Sequence, residues 1–80
     1  MEEQTVLLQS KELLDRVRAY YPEDVERVQQ VIDYAIQAHD GQFRVSGDPY
    51  IVHPLEVAII LADLQMDVST VIAGILHDVV

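Results

Sequence analysis

Eighty residues allow one small domain, whose core is modest because a chain of this size buries only about 60–65% of its unfolded surface. The lack of cysteine removes disulfides, thiolate zinc sites and thiol nucleophiles, and a net charge of -9 argues against a general nucleic-acid surface, which concentrates Lys and Arg to displace counterions. The acidic start Met1-Glu2-Glu3-Gln4 is unlike a signal peptide, and no apolar run approaches the roughly 18–20 residues of a membrane span, so a soluble, cytoplasmic protein is expected.

In chain order, Ser10 is a candidate cap for a first helix reaching Tyr20, with Leu13, Leu14, Val17 and Tyr20 on one face. Tyr21-Pro22 breaks it, because a residue before proline avoids the α region. Pro22 suits a first helical position and Glu23 and Asp24 suit a helix start, so a second helix is expected to carry Val25, Val28, Ile32, Ala35 and Ile36 to a stop at Gly41. Over residues 41–52 the helical period vanishes, and Gly41, Gly47, Asp48 and Pro49 supply turn chemistry. Pro54 then opens a third helix with Leu55, Val57, Ala58, Ile60, Leu61 and Leu64, placing His53 at or near its N-terminal cap. Asp67 or Ser69 can cap a fourth helix, apolar nearly all round through Val71, Ile72, Ile75, Leu76, Val79 and Val80. That helix ends in mid-pattern without Gly, Asn or Pro, and three short helices can hardly cover it. The expectation is therefore an all-α but incomplete domain occupying residues 1–80.

Two histidines and one aspartate stand out. His77 and Asp78 interrupt the apolar series of the fourth helix, and an unpaired buried carboxylate is expensive, so Asp78 calls for a cation, a donor network or an open cleft. Two imidazoles and a carboxylate, from His53, His77 and Asp78, are a donor set for a divalent metal. The plainer alternative makes His77 a hydrogen-bonded core histidine, Asp78 a solvated edge and His53 a capping residue. His39, closing the second helix, reads as a structural hydrogen-bonding residue. Arg44 is the sole permanent cation of residues 28–80, in the glycine-bounded loop before His53. On charge alone it is either a solvated loop residue or a ligand contact. No His-Glu-x-x-His, phosphate-cradling glycine loop or serine triad is present, which leaves metal-activated water as the route to catalysis.

The run Ala38-His39-Asp40-Gly41-Gln42-Phe43-Arg44-Val45-Ser46-Gly47-Asp48-Pro49-Tyr50-Ile51-Val52-His53-Pro54-Leu55-Glu56-Val57-Ala58, followed by Ala73-Gly74-Ile75-Leu76-His77-Asp78-Val79-Val80, resembles the N-terminal hydrolase region of RelA/SpoT homologues. These bacterial stringent-response enzymes make and degrade guanosine tetra- and pentaphosphate. The resemblance implies an all-helical domain of the His-Asp (HD) phosphohydrolase superfamily, with about four helices here and a Gly-containing loop between the second and third. It implies that His53, His77 and Asp78 hold Mn2+, and that Arg44, Val45 and Ser46 contact the guanine nucleotide. Many relatives carry a basic residue where this chain has Val45.

The implied activity is manganese-dependent removal of the 3′-pyrophosphate from guanosine tetra- or pentaphosphate, giving pyrophosphate and GDP or GTP respectively. The family's fourth ligand, a distant Asp, and the acidic pair that assists its attacking water have no counterpart in these residues. No catalytic residue is therefore assigned, and the 80 residues alone are expected to be inactive. Expected partners are the alarmone, the remainder of the hydrolase domain and a synthetase domain, with neither membrane nor nucleic acid. The competing readings are a regulatory nucleotide-binding module with a decayed HD site, and a purely structural helical interaction piece.

Overall fold

The computed structural model describes residues 2–79, with side chains from Gln4 onward. Four α-helices run in order: α1 Glu2–Tyr20, α2 Val25–Ala38, α3 Val52–Asp63 and α4 Val68–Leu76. A 3-10 turn, Pro22–Asp24, joins α1 to α2. Among the described residues there is no strand, only an isolated antiparallel bridge between Phe43 and Pro49 in the loop between α2 and α3. The expected all-α architecture and its one long loop are thus present. Among the described residues no helix is long and apolar enough to cross a membrane.

The first helix begins well before its anticipated cap. Val6, Ser10, Leu13 and Val17 recur at helical spacing on one buried face, so the stripe that turns α1 toward the core starts a full turn before Ser10. Ser10 is consequently a mid-helix residue whose hydroxyl donates to the Val6 carbonyl at 2.8 Å, one turn back. Tyr20, expected on the inner face, is half exposed. Pro22 opens the 3-10 turn instead of α2 itself, and α2 buries Val28, Ile32 and Ala35.

Helix α3 packs against both α1 and α4, while α2 packs against α1 and α4. Their shared core centres on the fully buried Leu13, Val17, Val28, Ile32, Leu55, Val71 and Ile75. At the surface, Arg16 ties α1 to α3 through Asp63 and also pairs with Glu12 at 2.9 Å. Its side chain is 30% exposed, so the pair orients the helices more than it stabilises them. The apolar Ile60 and Leu64 of the α3 end point to solvent.

Helix α3 closes with the Gln65 N–H on the Ala62 carbonyl at 2.9 Å and the Met66 N–H on the Leu61 carbonyl at 3.1 Å. That closure forces Gln65 to φ +58°, a left-handed conformation that costs an L-residue roughly 1–2 kcal/mol. Its side-chain amide donates to the Tyr20 hydroxyl at 3.3 Å, a partial compensation. Gln65→Gly is expected to raise stability by up to about 1 kcal/mol. A thermal melt checks this, and a lower Tm would mean that the Tyr20 contact outweighs the strain.

Of the two candidate caps for α4, Asp67 takes the position, in extended backbone at ψ 158°. The Thr70 hydroxyl donates to its carboxylate at 2.6 Å and holds it below the usual aspartate range. Its stabilising contribution is therefore present at neutral pH and fades as pH falls through the lowered value. The helix ends at Leu76, short of the Val79-Val80 end that the apolar pattern suggests. His77 is its C-cap and Asp78 lies in the following turn, so neither belongs to the helix body. Val80, read as part of that helix, lies outside the described residues.

Candidate metal centre

The three donors come from two helix ends. His53 is the second residue of α3, its N–H donating to the Tyr50 carbonyl at 3.2 Å, and the buried Pro54 and Leu55 pin that first turn to the core. Proline is suited to the place, where its missing N–H forfeits no helical bond. His77 caps α4 and reaches the same point because α4 lies very close to α3. A β-carbon on Gly74 would stand 2.7 Å from Leu61 Cδ1 and 3.8 Å from the Ala58 Cα. A side chain here would displace the Leu61 methyl, so glycine leaves room for Leu61 where the two helices meet.

The rings of His53 and His77 lie 6.0 Å apart, inclined at 68°. Each of His53, His77 and Asp78 offers one donor atom within 4.8 Å of the other two. His53 and Asp78 are half-buried, and His77 is the more exposed.

The hydrogen bonds show how the donor set is prepared. His77 Nδ1 lies 2.5 Å from the Gly74 carbonyl oxygen. A carbonyl only accepts, so Nδ1 carries the proton, and an otherwise orphaned carbonyl at the end of α4 is satisfied. His77 Nε2 is then left facing an Asp78 carboxylate oxygen 3.1 Å away. That sets lone pair against lone pair, an arrangement that a cation coordinated by both atoms relieves. A divalent cation fits the requirement, and a backbone carbonyl fixing the far nitrogen is the usual support for a metal-bound imidazole.

Arg44, Val45 and Ser46 sit at the tip of the α2–α3 loop. The Arg44 N–H donates to the Asp48 carbonyl at 2.9 Å and the Gly47 N–H to the Arg44 carbonyl at 2.8 Å, with Gly47 at φ +94°. The Ser46 hydroxyl donates to the Asp48 carboxylate at 3.2 Å. Among the described residues the Arg44 guanidinium makes no hydrogen bond or ion pair with another side chain, and Val45 is fully exposed. Phe43, Arg44, Val45, Ser46 and Tyr50 line an open concavity of about 550 Å³. The three metal-type donors do not line it. The two groups are joined through Tyr50, whose ring borders the concavity and whose carbonyl receives the His53 N–H.

His39 has the structural role read for it. It is buried, caps α2, stacks on Tyr50 at 5.0 Å and bonds through Nδ1 to the Gln42 side chain at 3.0 Å. Sequence reasoning missed the part of Gly74, although a lone glycine one turn before His77 in an apolar helix was a visible signal.

Comparison with known proteins places these features in context. The HD domain family matches residues 31–80. The chain is 44% identical over 68 residues to the guanosine-3′,5′-bis(diphosphate) 3′-pyrophosphohydrolase of Aquifex aeolicus (strain VF5), covering 85% of this chain and 10% of that protein. It is 48% identical over 65 residues to the bifunctional (p)ppGpp synthase/hydrolase SpoT of Escherichia coli (strain K12), covering 80% of this chain and 9% of that protein. Identity to the GTP pyrophosphokinase rsh of Brucella ovis is 43% over 75 residues, 92% of this chain and 10% of the relative. The chain thus spans about a tenth of the length of the curated relatives it matches.

Proposed function

We propose, because this chain belongs to the HD domain family and is kin to the RelA/SpoT homologues, that residues 1–80 form the N-terminal part of a guanosine-3′,5′-bis(diphosphate) 3′-pyrophosphohydrolase domain. The observation that carries this is the convergence of the His53, His77 and Asp78 donors within 4.8 Å. On this reading those three side chains hold Mn2+, which supplies a Lewis acid for a phosphoryl oxygen and a bound water of lowered pKa.

The remaining work falls to the chain's own residues. The Gly74 carbonyl keeps the His77 proton on Nδ1 and Nε2 free to ligate. Arg44, unpaired with any side chain among the described residues, offers a planar cation to a guanine face or a phosphate. Ser46 adds a hydroxyl, and Val45 an apolar contact without charge. The substrate is guanosine tetra- or pentaphosphate and the products are pyrophosphate with GDP or GTP. The rest of the hydrolase domain supplies the fourth ligand and the acidic pair, so the 80 residues alone are inactive. A synthetase domain and a cytoplasmic setting belong to the same proposal.

Calorimetric titration of the chain with Mn2+ and then with guanosine tetraphosphate tests this division of labour. Arg44→Ala is expected to weaken nucleotide binding roughly 10- to 100-fold, as for loss of a hydrogen bond to a charged group, and to leave Mn2+ affinity unchanged. Loss of the metal with unchanged nucleotide affinity would refute the assignment.

A further inference from the structure

We infer that His39 is a positioning residue, the anchor that sets the Arg44–Ser46 tip relative to the start of α3; as a statement about nucleotide recognition it rests on the reading above. The loop is a small hairpin, with Phe43 bridged to Pro49 and the Tyr50 N–H donating to the Gln42 carbonyl at 2.9 Å. Nothing at its tip is buried, and Gln42 to Asp48 are exposed throughout. Its orientation must therefore be fixed at its base.

Both residues of that base hold the same side chain. Gln42 accepts from His39 Nδ1 at 3.0 Å and Tyr50 stacks on the imidazole with planes 25° apart. The Gln42 N–H also donates to the His39 carbonyl at 2.9 Å. His39 itself is 5% exposed and capped onto α2, so it does not move with the loop. Tyr50 then passes the constraint on, since its carbonyl receives the His53 N–H. A single buried imidazole thus fixes both arms of the loop, and Tyr50 stands one turn before the first metal-type donor. A generic helix cap would require neither the stack nor the Gln42 bond.

Hydrogen exchange of the 80-residue chain by NMR, paired with Mn2+ and guanosine tetraphosphate titrations, provides the test. His39→Phe keeps a ring against Tyr50 and removes the hydrogen bond, and Gln42→Leu removes the same bond from the exposed side without touching the core. In both variants the Arg44 and Tyr50 amides are expected to exchange at least tenfold faster, those of Ala58 and Ile75 at the wild-type rate, with Mn2+ affinity unchanged and nucleotide affinity lowered severalfold. His39→Asn, which restores a donor toward Gln42, recovers part of the protection. Unchanged exchange of the Arg44 and Tyr50 amides overturns the inference, as does parallel loss of Mn2+ binding, which would make His39 a general structural residue. If His39→Phe fails to fold, Gln42→Leu decides. A wild-type chain that binds no nucleotide removes the proposed function, while the exchange rates still decide whether His39 holds the hairpin.

Discussion

His77→Ala is expected to abolish stabilisation of the chain by Mn2+. A ligand that binds only the folded state at a hundred times its Kd adds about 2.7 kcal/mol. For a domain of this size that is a rise in Tm of roughly 10–20 °C. The variant loses the donor that bridges the other two, since His77 lies against His53 on one side and Asp78 on the other. Removing the ring also exposes the Gly74 carbonyl to water, but His77 is among the more exposed residues of the site, so the metal-free fold is expected to survive. Differential scanning fluorimetry with and without Mn2+ separates the two effects. A variant that keeps the full Mn2+-induced shift would show that the ion sits elsewhere. Mg2+, which prefers an oxygen shell, is expected to give a much smaller shift than Mn2+ at a site with two imidazoles.

Leu55→Ala is expected to cost about 2–5 kcal/mol, the range for truncating a fully buried leucine. A chain of 80 residues has a total stability of only about 4–12 kcal/mol, so this single change removes a large part of it. Leu55 follows the ligand-type His53 by two residues and holds the first turn of α3 on the core, so the cavity opens beneath the site. Urea unfolding of the metal-free chain gives the magnitude, and added Mn2+ is expected to recover part of it by mass action. A loss under about 1 kcal/mol would place Leu55 outside the core that the fold assigns to it.

How much of this was legible in the sequence depended on the range of the interaction. The loop and the start of α3 were readable because Gly41, Gly47 and Pro54 act on their own backbone, and the left-handed angles of the two glycines bear this out. The beginning of α1 was not, because Ser10 has the chemistry of a cap and only the burial of Val6 against other helices shows that the helix continues past it. The end of α4 was misplaced by the apolar run Ile75, Leu76, Val79, Val80, which hides the point where His77 folds back on Gly74. The three donors could be named individually, but their meeting depends on how α3 packs against α4, a long-range contact that no local spacing encodes. The likeness of the loop and of the His-Asp pair to RelA/SpoT homologues supplied the grouping that spacing alone left open.

The two helix ends that carry His53 and His77 have opposite electrical character. Backbone dipoles leave a partial positive charge where α3 begins and a partial negative charge where α4 finishes. The same small volume therefore favours a cation on its His77 side and an anion on its His53 side.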